Sequence, residues 1–169
     1  MSYPYPTPII GRIFVHSPMA EYLRDGRAPI PESESTSRVM RANRGKDTSP
    51  ELQLRGALRA IGLRGYRLHW RGAAGRPDIA YPRHRVAIFV HGDFWHRCPV
   101  CDLPLPKTHT EFWEQKLKRN TDRDKRKIIE LEQAGWMVFV CWEHEIKADP
   151  MRCAARVKEY IDKLKNQND

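Results

Sequence analysis

The sequence predicts an α/β fold, a central mixed sheet flanked by helices, on three observations. Three segments carry apolar residues at helical spacing, four short runs between Gly and Pro punctuation read as strands, and their order is α-β-β-β-α-β-α. An isolated set of strands would leave apolar faces wet, so helices packed on one sheet are the natural solution.

The first helix is expected from about 49 to 61, because Thr48-Ser-Pro-Glu51 has a capping-box pattern and Leu54, Ala57, Leu58 and Ile61 follow at helical spacing up to Gly62. Tyr66 to Trp70, Asp78 to Tyr81 and Val86 to Val90 then suit three successive strands, the third of them buried on both faces. A Pro- and Cys-bearing loop runs from His91 to Thr110. A second helix follows from about 111 to 133, a fourth strand from Trp136 to Trp142, and a last helix from about 150 to 165. Residues 1 to 37 hold six prolines and end in Ser-Glu-Ser-Thr-Ser, which reads as a mostly irregular arm ahead of one domain over 38–169, with Ile9 to Val15 able to pack on it.

The 169 residues suit a single core. Thirty Lys and Arg against 21 Asp and Glu give a net charge of +9, which fits a polyanionic partner without naming the chemistry. No stretch approaches the roughly 18 apolar residues of a membrane span, and the Tyr- and Pro-rich start lacks the order of a signal peptide, so a cytoplasmic protein is expected. In that compartment Cys98-Pro-Val-Cys101 reads as half a metal site before it reads as a disulfide.

Four groups of residues bear on chemistry. Gly75-Arg-Pro-Asp78 places a carboxylate where a turn enters a strand, suited either to Mg²⁺ or to an Asx-type turn. His91-Gly-Asp-Phe-Trp-His96 sets Phe94 and Trp95 between two histidines on a loop. Such rings either wedge into base stacks or anchor the loop to the core. On the second helix Trp113, Leu117, Asn120, Asp124, Ile128 and Leu131 fall in one stripe, so Asp124 lies on the apolar face and needs a partner, either His96 or an Arg such as Arg76. The basic residues flanking that stripe form a solvated face, some of them within reach of phosphates. Asp93, Cys98, Cys101 and His144 supply four ligands of a type that zinc accepts; the alternative is a coincidental hook with an exposed His144.

Taken together, Met40-Arg41-x-Asn43, Lys46-Asp-Thr-x-x-Glu51, Gly75-Arg-Pro-Asp78, His91-Gly-x-Phe-Trp-His96, Phe112-Trp113, Asn120-x-x-Arg123-Asp124, Gly135-Trp136 and Trp142-Glu143 resemble the Vsr (very short patch repair) mismatch endonucleases, in the same order and at matching spacings over about 38 to 145. The resemblance implies a restriction-endonuclease-like core and Mg²⁺-dependent nicking of one DNA strand 5′ to the mispaired T of a T:G mismatch. It implies that Asp78 and the Val90 backbone carbonyl bind catalytic Mg²⁺, that His96 with Asp124 behind it activates the attacking water, and that His91 lies beside the phosphate with Glu51 as a supporting carboxylate. Phe94, Trp95 and Trp113 resemble the aromatic wedge, and Met40, Arg41, Asn43, Asn120 and Arg123 are further expected DNA contacts.

The chain departs from the family pattern in placing Asp93 and His144 where Cys is frequent, and Val90 where Thr is familiar. The first two changes keep ligand-capable side chains, and backbone ligation survives the third, so a structural Zn²⁺ with altered ligands is expected. A monomer working on double-stranded DNA at the bacterial nucleoid is the corresponding picture. Its rivals are a restriction-type endonuclease of the same fold acting on a short specific or modified sequence, and a zinc-bearing DNA-binding module without catalysis.

Overall fold

The computed structural model describes residues 45–167, together with the strands β1 (Leu23–Arg24) and β2 (Ala28–Pro29) and the single positions Glu34 and Arg38. The two short strands pair antiparallel within the stretch read as an irregular arm. The expectations for Ile9 to Val15 and for Met40, Arg41 and Asn43 lie outside the described residues.

From residue 45 the elements are α1 (Ser49–Ala60), β3 (Arg67–Leu68), β4 (Ile79–Tyr81), β5 (Val86–His91), α2 (Thr110–Gln133), β6 (Met137–Trp142), α3 (Glu143–Ala148) and α4 (Pro150–Asn166). The sheet has the order β3-β4-β5-β6. Its β3–β4 and β4–β5 pairs are antiparallel, whereas β5 and β6 run parallel from Val86 beside Met137 to His91 beside Trp142. The parallel pair requires a long crossover, which α2 supplies.

Alternation along β5 sends side chains into two cores. Val86 and Ile88 pack with Leu54 and Leu58 of α1, Ile146 of α3, and Val157 and Ile161 of α4. Ala87 and Phe89 point the other way, toward Leu131 of α2 with Trp136 and Val138 beside it. Helices therefore cover both faces, and β5 is buried along nearly its whole length, as its unbroken apolar run predicts.

The structure shortens one expected strand and adds two elements on which the sequence expectations are silent. The first sheet strand shrinks to the exposed pair Arg67–Leu68, because His69 leaves extended geometry with a φ of +44°. The turn between β4 and β5 is a single 3₁₀ turn, Pro82–His84, closed by Arg85 in a left-handed conformation. The unforeseen helix α3 begins directly after β6, where the Glu145 carboxylate accepts a hydrogen bond from the Trp142 amide at 3.0 Å.

At the start of α1 the capping box takes a modified form. Among the described residues Thr48 makes no side-chain cap bond. Its hydroxyl instead donates to Glu51 Oε1 at 3.0 Å, while Glu51 Oε2 accepts from the Asp47 amide at 3.0 Å. Glu51 is thereby fixed by its own helix terminus while it is only 5% exposed.

Candidate active site

The turn that delivers Asp78 is shaped by its sequence. Gly75 has a φ of +71°, and a Cβ there would lie 2.9 Å from Lys127 side-chain atoms, so a larger residue is opposed by both conformation and space. Pro77 is fully buried behind it. Asp78 then sits one residue before β4, where β5 continues past the end of its partner, and its Oδ2 accepts a 2.7 Å hydrogen bond from the Val90 amide. That bond spans twelve residues and replaces the local turn contact that an Asx turn would make.

Burial pushes the Asp78 carboxyl up to about 6, reinforced by the negative charge of Glu51 and opposed by the Val90 amide and by the charges of His69 and His96. A carboxylate held in this state gains most from an added cation. Glu51 reaches the same cleft from α1.

The second half of the cleft comes from the β5–α2 side. His91 ends β5, and the turn that follows, closed by His96 N–H to Gly92 O at 3.1 Å and Cys98 N–H to Asp93 O at 2.9 Å, folds His96 back over it. The two imidazoles stack with centroids 4.0 Å apart and planes 5° from parallel. Asp124 projects from the buried stripe of α2 and meets His96 Nδ1 at 2.6 Å, so His96, not Arg76, is its partner. Burial raises the Asp124 carboxyl, but the His96 hydrogen bond and the charges of His96 and Arg123 outweigh it and hold the group below its usual range. Burial and the neighbouring His96 lower His91 to about 4, which leaves its imidazole neutral at physiological pH.

Glu51, Asp78, Val90, His91, Trp95, His96, Arg123, Asp124 and Lys127 thus line one cleft of about 920 Å³. Arg123 and Lys127 add two cations beside the dyad, with Lys127 Nζ 3.9 Å from Asp124.

The aromatic residues form their own cluster next to this cleft. Phe94 and Trp95 lie 5.2 Å apart, and each is 6.0 Å from Trp113. Trp113 is only 6% exposed and lies beneath the other two, while Phe94 and Trp95 remain half-buried at the surface. Lys116 Nζ stands over the Trp95, Phe112 and Trp113 rings at 5.2–5.7 Å. Asn120 holds the loop from below by donating to the Trp95 carbonyl at 3.3 Å.

A separate constellation unites Asp93, Cys98, Cys101 and His144, whose ligand atoms all lie within 4.8 Å of one another. His144 Nδ1 is 2.7 Å from Asp93 Oδ1, 3.3 Å from Cys101 Sγ and 3.9 Å from Cys98 Sγ. The two sulfur–nitrogen separations bracket the edge of about 3.5 Å in a tetrahedron with bonds of about 2.0 and 2.3 Å, while the His144–Asp93 pair stands at hydrogen-bond length, so the donor set fits a zinc-type ion in number and chemistry. The Cys98 contact and burial push the Cys101 thiol up to about 12, so a cation there would displace a proton. Two further groups are less suited: His91, His96 and Asp124 offer stacked, parallel rings, and Asp47, beside Glu51 and His69, is already paired with Arg55 at 2.6 Å.

The sequence reading missed His69. Its Nδ1 is 3.7 Å from Asp78 Oδ1 and its Nε2 is 3.9 Å from Glu51 Oε2. It lay inside an apparent strand, and no spacing signal marked it.

A mixed sheet covered by helices on both faces, with a carboxylate where two of its strands part and a His-Asp dyad across the cleft, defines a nuclease of the restriction-endonuclease-like class. Comparison with known proteins narrows the class. The family model for the DNA mismatch endonuclease Vsr matches residues 30–101. The chain is 39% identical over 124 residues to the Type II nicking enzyme V.XorIIP of Xanthomonas oryzae pv. oryzae, covering 73% of this chain and 90% of that one. It is 37% identical over 142 residues to the Type II nicking enzyme V.NaeI of Lentzea aerocolonigenes, covering 81% and 84% of the two. It is 36% identical over 134 residues to the DNA mismatch endonuclease Vsr of Escherichia coli K12, covering 79% and 80%. The chain belongs to the Vsr family of DNA endonucleases.

Proposed function

We propose that this endonuclease nicks one strand of duplex DNA 5′ to the mispaired T of a T:G mismatch, using a divalent cation, with Mg²⁺ the ion best suited to the site. The observation that carries the reading is the convergence of Asp78, His96 and Asp124 on one basic-edged cleft beside a half-buried aromatic cluster.

Asp78 and the Val90 carbonyl would hold the cation, a carboxylate and an amide oxygen being the hard donors that Mg²⁺ takes alongside water and phosphate oxygens. When bound, it neutralises charge developing on the scissile phosphate and the leaving oxygen. His96 accepts a proton from the attacking water at Nε2, because its Nδ1 is committed to Asp124, which fixes the tautomer and stabilises the imidazolium that forms. His91, kept neutral by burial, presents a ring nitrogen to the phosphate without competing for the proton. Arg123 and Lys127 face the phosphate oxygens.

Phe94 and Trp95 are placed to enter the stack next to the target thymine. An already mispaired base is less costly to unstack, so a wedge gains discrimination from that difference of a few kcal/mol. Trp113, buried below them, acts first as their support. The second constellation is read as a structural zinc site closed by Asp93, Cys98, Cys101 and His144, which pins the loop bearing His96 to α3. Among the described residues no helix is long and apolar enough to cross a membrane.

A second reading has support in the names of two relatives, both described as Type II nicking enzymes: a restriction-type activity on a short matched or modified sequence. Nick mapping on labelled T:G, T:A and cytosine-methylated duplex libraries separates the two. The mismatch reading requires cuts confined to the heteroduplex, 5′ to its T.

A further inference from the structure

His69 has no place in the chemistry described above, yet three features single it out. The first is conformational. β3 ends at Leu68, and His69 takes a φ of +44°, left-handed geometry that costs a non-glycine residue roughly 1 kcal/mol or more. Its amide still donates to the Asp78 carbonyl at 3.1 Å, so the kink breaks strand alternation without breaking the pairing. The second is placement. The ring fills the space between Glu51 and Asp78, one nitrogen toward each carboxylate, and lies behind them rather than among the residues lining the cleft. The third is an orphan. Nε2 is buried and makes no hydrogen bond among the described residues, a condition that costs free energy and is rare in a native interior.

A cation bound by His69, Glu51 and Asp47 would give Nε2 a partner. It fails on the partners: Asp47 is taken by the Arg55 guanidinium at 2.6 Å, and both Glu51 oxygens already accept bonds from the Asp47 amide and the Thr48 hydroxyl. What remains is a ring wedged between two carboxylates that both reach the cleft.

We propose that His69 is a positioning residue for the catalytic cation: a bridging imidazole that spaces Glu51 from Asp78 and, through Nδ1, turns the Asp78 carboxylate toward the cleft. Asp78 is held on one side by the Val90 amide at 2.7 Å, and His69 Nδ1 stands 3.7 Å from Oδ1, the oxygen that the amide leaves free. Nε2 stands 3.9 Å from Glu51 Oε2, beyond hydrogen-bond length, so the ring spaces Glu51 from Asp78 by its bulk. Partners of this kind orient metal-binding carboxylates, and their loss typically weakens metal affinity about 10- to 100-fold.

This inference rests on Asp78 as a cation ligand. The test is Mn²⁺ binding to the full chain, followed by electron paramagnetic resonance and calorimetry, for wild type and for Asp78→Ala, His69→Leu and His69→Asn, each with its melting temperature. Asp78→Ala abolishing the cleft-bound Mn²⁺ establishes the ligand, and failure there overturns that premise whatever His69 does. His69→Leu fills the ring volume without polar atoms and is expected to weaken Mn²⁺ binding about 10- to 100-fold while remaining folded. His69→Asn restores an amide near the Nδ1 position and is expected to recover most of that loss. In nicking assays the His69→Leu defect should shrink as Mg²⁺ is raised, a shift in half-saturation rather than in the saturated rate. His69→Leu binding Mn²⁺ as tightly as wild type overturns the proposal. So does His69→Asn binding as weakly as His69→Leu; if Leu does not fold, His69→Ala takes its place, with a roughly 10-fold or greater loss expected of the folded variant and wild-type Mn²⁺ binding overturning the proposal.

Discussion

The Nδ1 atom of His96 lies 2.6 Å from Oδ2 of Asp124, joining a loop after β5 to the buried stripe of α2 across 28 residues of sequence. This contact fixes which histidine nitrogen faces the cleft. Replacing Asp124 by Asn keeps the shape but lets the amide favour the wrong tautomer, as in other His-carboxylate pairs. Asp124→Asn is expected to stay folded and to lose about 10²- to 10⁴-fold in single-turnover nicking at saturating Mg²⁺. A loss below threefold in a folded variant would remove His96 from the proton-transfer role.

Asp78 gives a pH dependence whose sign can be worked out. Its folded value of about 6 lies above the ordinary 3.8, so its contribution to stability is fully present below about 3.8 and is lost as pH rises through about 6. Without added metal, Asp78→Asn should therefore be more stable than wild type at pH 7.5, on the order of 2 kcal/mol, and nearly equal to it at pH 3.5. A cation reverses the penalty, so the rise in melting temperature on adding Mg²⁺ should grow from pH 5 to pH 7.5. An increment independent of pH over that range counts against Asp78 as the site of uptake.

Cys98 tests the second constellation. Protein purified without chelator should carry about one zinc, and Cys98→Ser should lose it together with several degrees of melting temperature, because a closed structural site contributes directly to folding. Elemental analysis finding no zinc, or a melting temperature unmoved by a strong chelator, would contradict the assignment.

The aromatic cluster divides between support and wedge. Trp113 is buried, and truncating a core aromatic costs about 3–5 kcal/mol, so Trp113→Ala should lower stability whatever the substrate. Trp95 is half-buried at the cleft, and Trp95→Ala should remain folded while its ratio of nicking on T:G over T:A duplexes collapses. A folded Trp95→Ala with an undiminished ratio rules out the wedge.

Much of this architecture is legible without coordinates because α1, α2 and α4 repeat apolar residues over several turns and β5 and β6 are continuous apolar runs. Asp124 could be placed on a buried face by counting along α2, but the choice between His96 and Arg76 depended on how an 18-residue loop folds, which periodicity does not report. Helix α3, six residues long, is shorter than two full turns, and its start is set by the Glu145 contact to the Trp142 amide. His69 was hidden for a different reason: its role depends on a left-handed φ that side-chain patterning does not encode, and it faces Glu51 and Asp78, which approach it from α1 and from the start of β4.

Mismatch selectivity and metal dependence are tested together by strand-resolved nick mapping on two otherwise identical labelled duplexes, one T:G and one T:A, with wild type and Asp78→Ala in Mg²⁺ and in EDTA. A single nick 5′ to the mispaired T is expected, present only with wild type and Mg²⁺. Equal cutting of the matched duplex would contradict the mismatch reading, and cutting that persists in EDTA or in Asp78→Ala would contradict the metal-dependent mechanism itself.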